Sequence, residues 1–229
     1  MVDQDYICSP MRSLAHVVSF VFHPLFLAYW LILLTFWIDR FGYYIDGDQS
    51  IGAMFIMDFF LLVLFPMVGI AVLVGLKMIS GFQMKKRQDR IGPLIIILTC
   101  YIWYFVNVNS SAVYPDSLRF VALGITISAG IAFFINNFSK VSLHTLGSGS
   151  LVVAVAILIM NRKDAGVSVD FLLVDGFRVS AIFVLLICVM IAGVVGTARL
   201  YLKAHNAEEV YGGYIIGALA QIVAFRLII

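Results

Sequence analysis

The amino-acid sequence predicts an all-α, polytopic transmembrane helical bundle of about six to seven spans, in a single integral membrane domain covering residues 1–229. Hydrophobic residues make up 62% of the chain and charged residues 12%, which leaves too little polar surface to cover a soluble globule of this size. Apolar runs reach the roughly 20 residues that an α-helix needs to cross a bilayer. The connections between them are short, with no Pro/Gly/Ser linker, compositional shift or internal repeat to mark a second domain.

The first segment, 13–38, follows MVDQDYICSPMRS and continues well past the roughly 7–15 apolar residues of a signal-peptide core, so it is expected to be an anchor. The second, 51–76, carries Asp58, an intramembrane acid to which the sequence assigns no role. The third, 93–108, is short and runs into the polar stretch NVNSSAVYPDS. Segments 118–138, 145–161, 175–196 and 207–228 complete the set. Gly147, Gly149, Gly213 and Gly217 are predicted to permit close helix packing. Cys8, Cys100 and Cys188 lack metal-ligand spacing and are expected to be free thiols. His16 and His23 stand near a span end and are expected to be interfacial residues.

The ionisable residues divide unevenly. Segments two, four and six are each followed by a basic cluster: KMISGFQMKKRQDR, then Lys140 with His144, then ARLYLKAHNAEEVYGG. Two spans separate each cluster from the next, which places all three on one side of the membrane. The opposite loops carry Asp39, Asp46, Asp48, Asp116, Asp164, Asp170 and Asp175. Positive charge at span ends is also the ordinary mark of cytoplasmic loops. Histidines are not part of that mark, and Arg, Lys, Ser and His delivered to one face make a cationic pocket suited to an anion.

Taken together the clusters resemble the three-part signature of the type 2 phosphatidic acid phosphatase (PAP2) superfamily, in its membrane lipid phosphatase branch. That signature runs Lys-x6-Arg-Pro, Pro-Ser-Gly-His and Ser-Arg-x5-His-x3-Asp. ARLYLKAHNAEE keeps the third spacing through Arg199, His205 and Glu209, with Ala198 in place of the serine and Glu209 in place of the aspartate. VSLH keeps Ser142 and His144, with Val141 and Leu143 at the proline and glycine positions. The first part departs furthest: Arg90 is separated from Pro93 by Ile91 and Gly92, and Gln83 stands where the lysine belongs. The motif-bearing core covers about 85–229.

The resemblance implies a PAP2-like helical core and assigns roles residue by residue. His205 would be the nucleophile that forms a phosphohistidine, and Glu209, expected one turn further along the same helix, would hold its tautomer. His144 would be the general acid and then the base that activates water. Arg90, Arg199 and Ser142, with Lys86 or Arg87, would bind the phosphoryl oxygens. No run of carboxylates or cysteines offers a metal site, and neither a metal ion nor another cofactor is expected.

The implied activity is hydrolysis of a phosphomonoester or pyrophosphate on a lipid headgroup. Its alternatives are phosphotransfer to an alcohol through the same intermediate, a non-catalytic PAP2-like lipid-binding protein, and a transporter, to which Asp58, Asn136 and Asn137 would belong. Expected partners are the bilayer and a lipid phosphate or pyrophosphate, with no nucleic acid. The expected location is a bacterial inner membrane. The motif face holds the larger share of Lys and Arg, which by the loop-charge rule places it in the cytoplasm. Much of that excess is the anion pocket itself, and the family resemblance implies an outward-facing site, which is the expectation adopted here.

Overall fold

Proline placement sets where the first helices begin. The computed structural model describes residues 4–39, 51–82, 84, 87–161, 168–170 and 178–229. Within the apolar run 13–38 it shows two helices, α1 (Gln4–Val21) and α2 (Pro24–Ile38), bent by 56° at the break between them, where a single span is expected from the sequence. The cause is Pro24, which has no N–H to continue the α1 ladder and disfavours helical geometry in the residue before it. His23 accordingly has an extended backbone (ψ 142°) and becomes the N-cap of α2.

The second segment is one span, Gly52–Gly75, built from α3 (Ile51–Phe59), a π-helical stretch Phe60–Leu64 and α4 (Phe65–Gly75). Pro66 again supplies the reason. It cannot donate to the carbonyl four residues back, and the ladder widens so that the N–H of Phe65 bonds to the carbonyl of Phe60.

A single 3₁₀ turn, Gln88–Arg90, leads into α5 (Ile91–Ser110), so the span seen as short in the sequence runs from Gln88 to Ser110. It is followed by α6 (Asp116–Asn136) and α7 (Leu143–Met160). The sixth span is α8 (Ala181–Tyr201), several residues later than the 175–196 expected, and α9 (Ala207–Ile228) closes the chain. Between α7 and α8, Ser168–Asp170 (β1) and Arg178–Ser180 (β2) form a short antiparallel pair. Six of the described helical stretches are long and apolar enough to cross a membrane, or seven spans if the bent pair counts as one. The chain is therefore an integral membrane helical bundle.

The bundle is organised around α2, whose Leu25, Leu27, Leu31 and Ile32 are almost fully buried. They pack with Leu62, Val63, Tyr104, Leu118, Val121 and Val155 from the surrounding helices. Large apolar side chains such as Phe134, Ile182, Met190 and Leu219 instead point outward, as a bilayer solvent allows. The closest helix approach is α7 against α9. A methyl group on Gly213 would lie 2.7 Å from the Ser142 carbonyl oxygen, and one on Gly149 would lie 2.9 Å from Cα of Tyr214. Small residues let these backbones meet, and Ser128, Ser150 and the Gly217 carbonyl link α6, α7 and α9 by hydrogen bonds of 3.2 Å.

The α1–α2 break, the described residues of 76–90 and the connections 137–142 and 202–206 gather at one end. Hydrogen bonds tie them to each other. Arg87 Nη1 donates to the Phe138 carbonyl at 2.7 Å, and the Asn136 amide to the Arg87 carbonyl at 3.1 Å. The Ser142 N–H donates to the Glu209 carbonyl at 3.2 Å.

Candidate active site

The third basic cluster spans a helix break. Helix α8 ends in a closure in which Lys203 adopts a left-handed backbone (φ 50°), the N–H of Lys203 bonds to the Leu200 carbonyl at 2.9 Å and that of Ala204 to the Arg199 carbonyl at 3.2 Å. These are the two bonds of a Schellman closure, with lysine where glycine is usual. Asn206 then caps α9, its Oδ1 accepting from the N–H of Glu209 at 2.8 Å. His205 and Glu209 thus do not share a helix, which corrects the expectation drawn from their four-residue spacing. His205 precedes the cap and Glu209 sits in the first turn of α9.

The two side chains meet across the cap at 2.5 Å, Nδ1 of His205 to Oε2 of Glu209. The His205 side chain is 3% exposed and that of Glu209 21%. With Nδ1–H donating to the carboxylate, the lone pair of the neutral ring is on Nε2. Burial lowers the pKa of His205 below the ordinary 6.5, and the charges of Arg90 and Arg199 act in the same direction against the hydrogen bond to Glu209.

A pocket of about 100 Å³ joins His205 to Arg90, His144, Arg199 and His23, with Ile70, Pro93, Leu94, Ile97 and Leu143 as apolar walls. Arg90 is held by two carbonyls, its Nε donating to Met84 at 3.2 Å and its Nη1 to Val141 at 3.3 Å. Arg199 donates from Nη1 to the Ser19 hydroxyl at 3.2 Å, while its buried Nε has no partner among the described residues. Nε2 of His144 lies 3.0 Å from the Ser19 carbonyl oxygen, which can only accept. His144 therefore carries its proton on Nε2 when neutral and leaves Nδ1 available.

The structure brings together Arg90, His144, Arg199, His205 and Glu209 from the positions singled out in the sequence. Ser142 is the N-cap of α7 and fully buried, its hydroxyl without a partner among the described residues, and it does not line the pocket. Arg87 is not brought to the pocket either, being exposed and bound to the Phe138 carbonyl. Lys86 lies outside the described residues. Asp58 is 2% exposed within its span and interacts with Tyr104, away from this end of the bundle.

Ser19, which holds His144 and Arg199 from behind, and His23, which lines the pocket, have no counterpart among the sequence motifs. The signal for them was the His-Pro step inside an apolar run, which bends the chain and delivers both to the site. Among the described residues, no three His, Cys, Asp or Glu side chains converge in a way that could hold a metal ion.

Two half-buried guanidiniums beside a carboxylate-oriented imidazole can bind a tetrahedral oxyanion and present a nitrogen lone pair to its central atom. Compared with family models, curated proteins and solved structures, the chain finds no match.

Proposed function

We propose that the protein is a membrane lipid phosphatase of PAP2 type, cleaving a phosphomonoester or pyrophosphate from a lipid headgroup through a phosphohistidine. The observation that carries this function is the His205–Glu209 pair at 2.5 Å, opening onto a pocket that also holds Arg90, Arg199 and His144. Nε2 of His205 attacks phosphorus, and the bond from phosphorus to the leaving oxygen breaks. That oxygen takes a proton from Nδ1 of His144, which enters this step as the imidazolium with its Nε2–H held by the Ser19 carbonyl and leaves it as the neutral ring. Glu209 stabilises the imidazolium character that develops on His205, as a carboxylate does beside a catalytic histidine in serine proteases. Water then attacks phosphorus, the N–P bond breaks and the water proton passes to His144. Arg90 and Arg199 balance the charge of the equatorial oxygens through both steps.

A lipid substrate is favoured by the pocket's surroundings. Pro24, Leu94, Ile97 and Leu143 border both the site and an apolar pocket of about 50 Å³ that extends between α2, α5, α6 and α7. Hydrocarbon next to the headgroup would meet a mainly apolar wall there, with Tyr101, Ser128 and Ser150 as its polar members. The site faces outward from a bacterial inner membrane in this proposal, on the strength of the family resemblance. The test is purified protein in detergent, incubated with phosphatidate, phosphatidylglycerol phosphate, isoprenyl pyrophosphate and phosphorylated glycolipid, with free phosphate measured with and without a chelator. Release from at least one lipid, unaffected by the chelator, is expected. Loss of the lipid phosphate that requires an alcohol acceptor and yields the phosphorylated alcohol in place of free phosphate would assign the chain to phosphotransfer.

A further inference from the structure

The α1–α2 break contributes to the pocket although it belongs to no part of the three-part signature. His23 caps α2 there, its Nδ1 accepting from the N–H of Leu25 at 3.4 Å. A ring nitrogen that accepts carries no proton, so the proton of the neutral ring is on Nε2. The same ring lines the pocket with Arg90, His144, Arg199 and His205, and stands edge-on to His144 with centroids 5.7 Å apart. Among the described residues no protein acceptor meets its Nε2–H. One ring edge is used by the helix cap, and the other is a donor without a protein partner in a pocket wall.

We propose that His23 is a fourth anion-binding group of this site, donating its Nε2–H to an oxygen of the tetrahedral oxyanion held by Arg90 and Arg199. This rests on the anion-binding pocket described above and deepens the phosphatase proposal. A neutral donor suits the position. Two guanidiniums already line the pocket, and a further full charge beside Arg199 would repel it, whereas a histidine N–H adds a hydrogen bond without adding charge. The Nδ1 cap fixes the ring's orientation and so fixes where the donor points. His23 thereby couples the start of α2 to the occupied site.

Substitution can separate the cap from the donor. Asparagine is among the preferred N-cap residues, so His23→Asn keeps a short side-chain acceptor for the α2 N-terminus and removes the pocket donor. His23→Gln does the reverse, losing the cap while its amide N–H extends toward the Nε2 position. His23→Leu removes both. Binding of orthovanadate to the purified full-length protein in detergent is measured by titration calorimetry, with melting temperature and phosphate release from lipid phosphates followed in parallel.

The expected result is that His23→Asn melts like the wild type and binds vanadate about tenfold or more weakly, the loss of one hydrogen bond to a charged group. His23→Gln binds more tightly than His23→Leu although both lack the cap. Wild-type affinity in His23→Asn, or equal affinity in the Gln and Leu variants, overturns the proposal and leaves His23 a helix cap. Should His23→Asn melt early, the Gln and Leu pair decides alone. Wild-type vanadate binding without phosphate release from any lipid overturns the phosphatase proposal while the His23 comparison still stands. Absence of both overturns the two together.

Discussion

In the proposed mechanism His205 attacks only while its ring is neutral, and its pKa is lowered by burial and by the fields of Arg90 and Arg199. The neutral fraction therefore persists as pH falls below 6.5, and the acid limb of kcat/KM is expected below that value. Glu209 works in the opposite direction, so Glu209→Gln should move the acid limb to still lower pH while reducing the maximal rate. A pH–rate profile checks both, and an acid limb that rises in Glu209→Gln contradicts the assignment. Arg199→Lys should reduce kcat by about 100–1,000-fold, the cost of removing one preorganised donor from a charge-stabilising site, because an ammonium cannot reproduce the guanidinium fork. Steady-state kinetics on the purified variant would read it. The spacing of Arg199, His205 and Glu209 was legible in the sequence. The break between them was not, because the left-handed residue that ends α8 is Lys203, while the usual stop signal there is glycine. Ser19 stayed hidden for a different reason: its carbonyl does half the work, and a carbonyl has no sequence signature.

At the scale of elements, two features decide whether the pocket assembles. The first is the α7–α9 contact, which sets the distance between His144 at the start of α7 and the His205–Glu209 pair at the start of α9. Gly213 sits at that crossing, and an added methyl group would approach the Ser142 carbonyl oxygen to 2.7 Å. Gly213→Ala should destabilise the fold by about 1–3 kcal/mol, the usual range for overpacking, and lower activity by displacing His205 from His144. Thermal melting in detergent beside the phosphate assay measures both. Gly212→Ala is the control, since nothing lies within 4 Å of its added methyl group. The second feature is the α1–α2 break. The sequence shows an unbroken apolar run from 13 to 38, and hydropathy alone reads it as one helix. Pro24 was the contrary signal, and its consequence is that Ser19 and His23 stand over the site rather than inside a straight span. The span boundaries that shifted are 93–108, which gains polar helical turns out to Gln88 and Ser110, and 175–196, where Arg178–Ser180 is strand and the helix runs on to Tyr201.

For the whole molecule, composition and apolar-segment length were enough to read the helical membrane bundle, because the bilayer leaves few ways to satisfy a backbone. The gathering of the basic clusters at one end was legible from parity, since an even number of spans separates them. Orientation is less directly written, as the charged residues of the pocket also count in the loop-charge rule. With the bent α1–α2 pair counted as one span, two spans precede the first basic cluster, so the N-terminal part of α1 shares its face and Cys8 reports the side. With an outward-facing site, a membrane-impermeant maleimide should label Cys8 in spheroplasts, and Cys8→Ser should abolish the label. Labelling only after lysis would place the site in the cytoplasm. The central claim is that His205 is the nucleophile of a phosphatase, and phosphate release by purified wild type and purified His205→Ala, in detergent with a chelator present, tests it most directly. The account predicts release by the wild type from at least one lipid phosphate and none above background from His205→Ala. Near-normal turnover in His205→Ala, or no release by the wild type from any lipid phosphate, would contradict it.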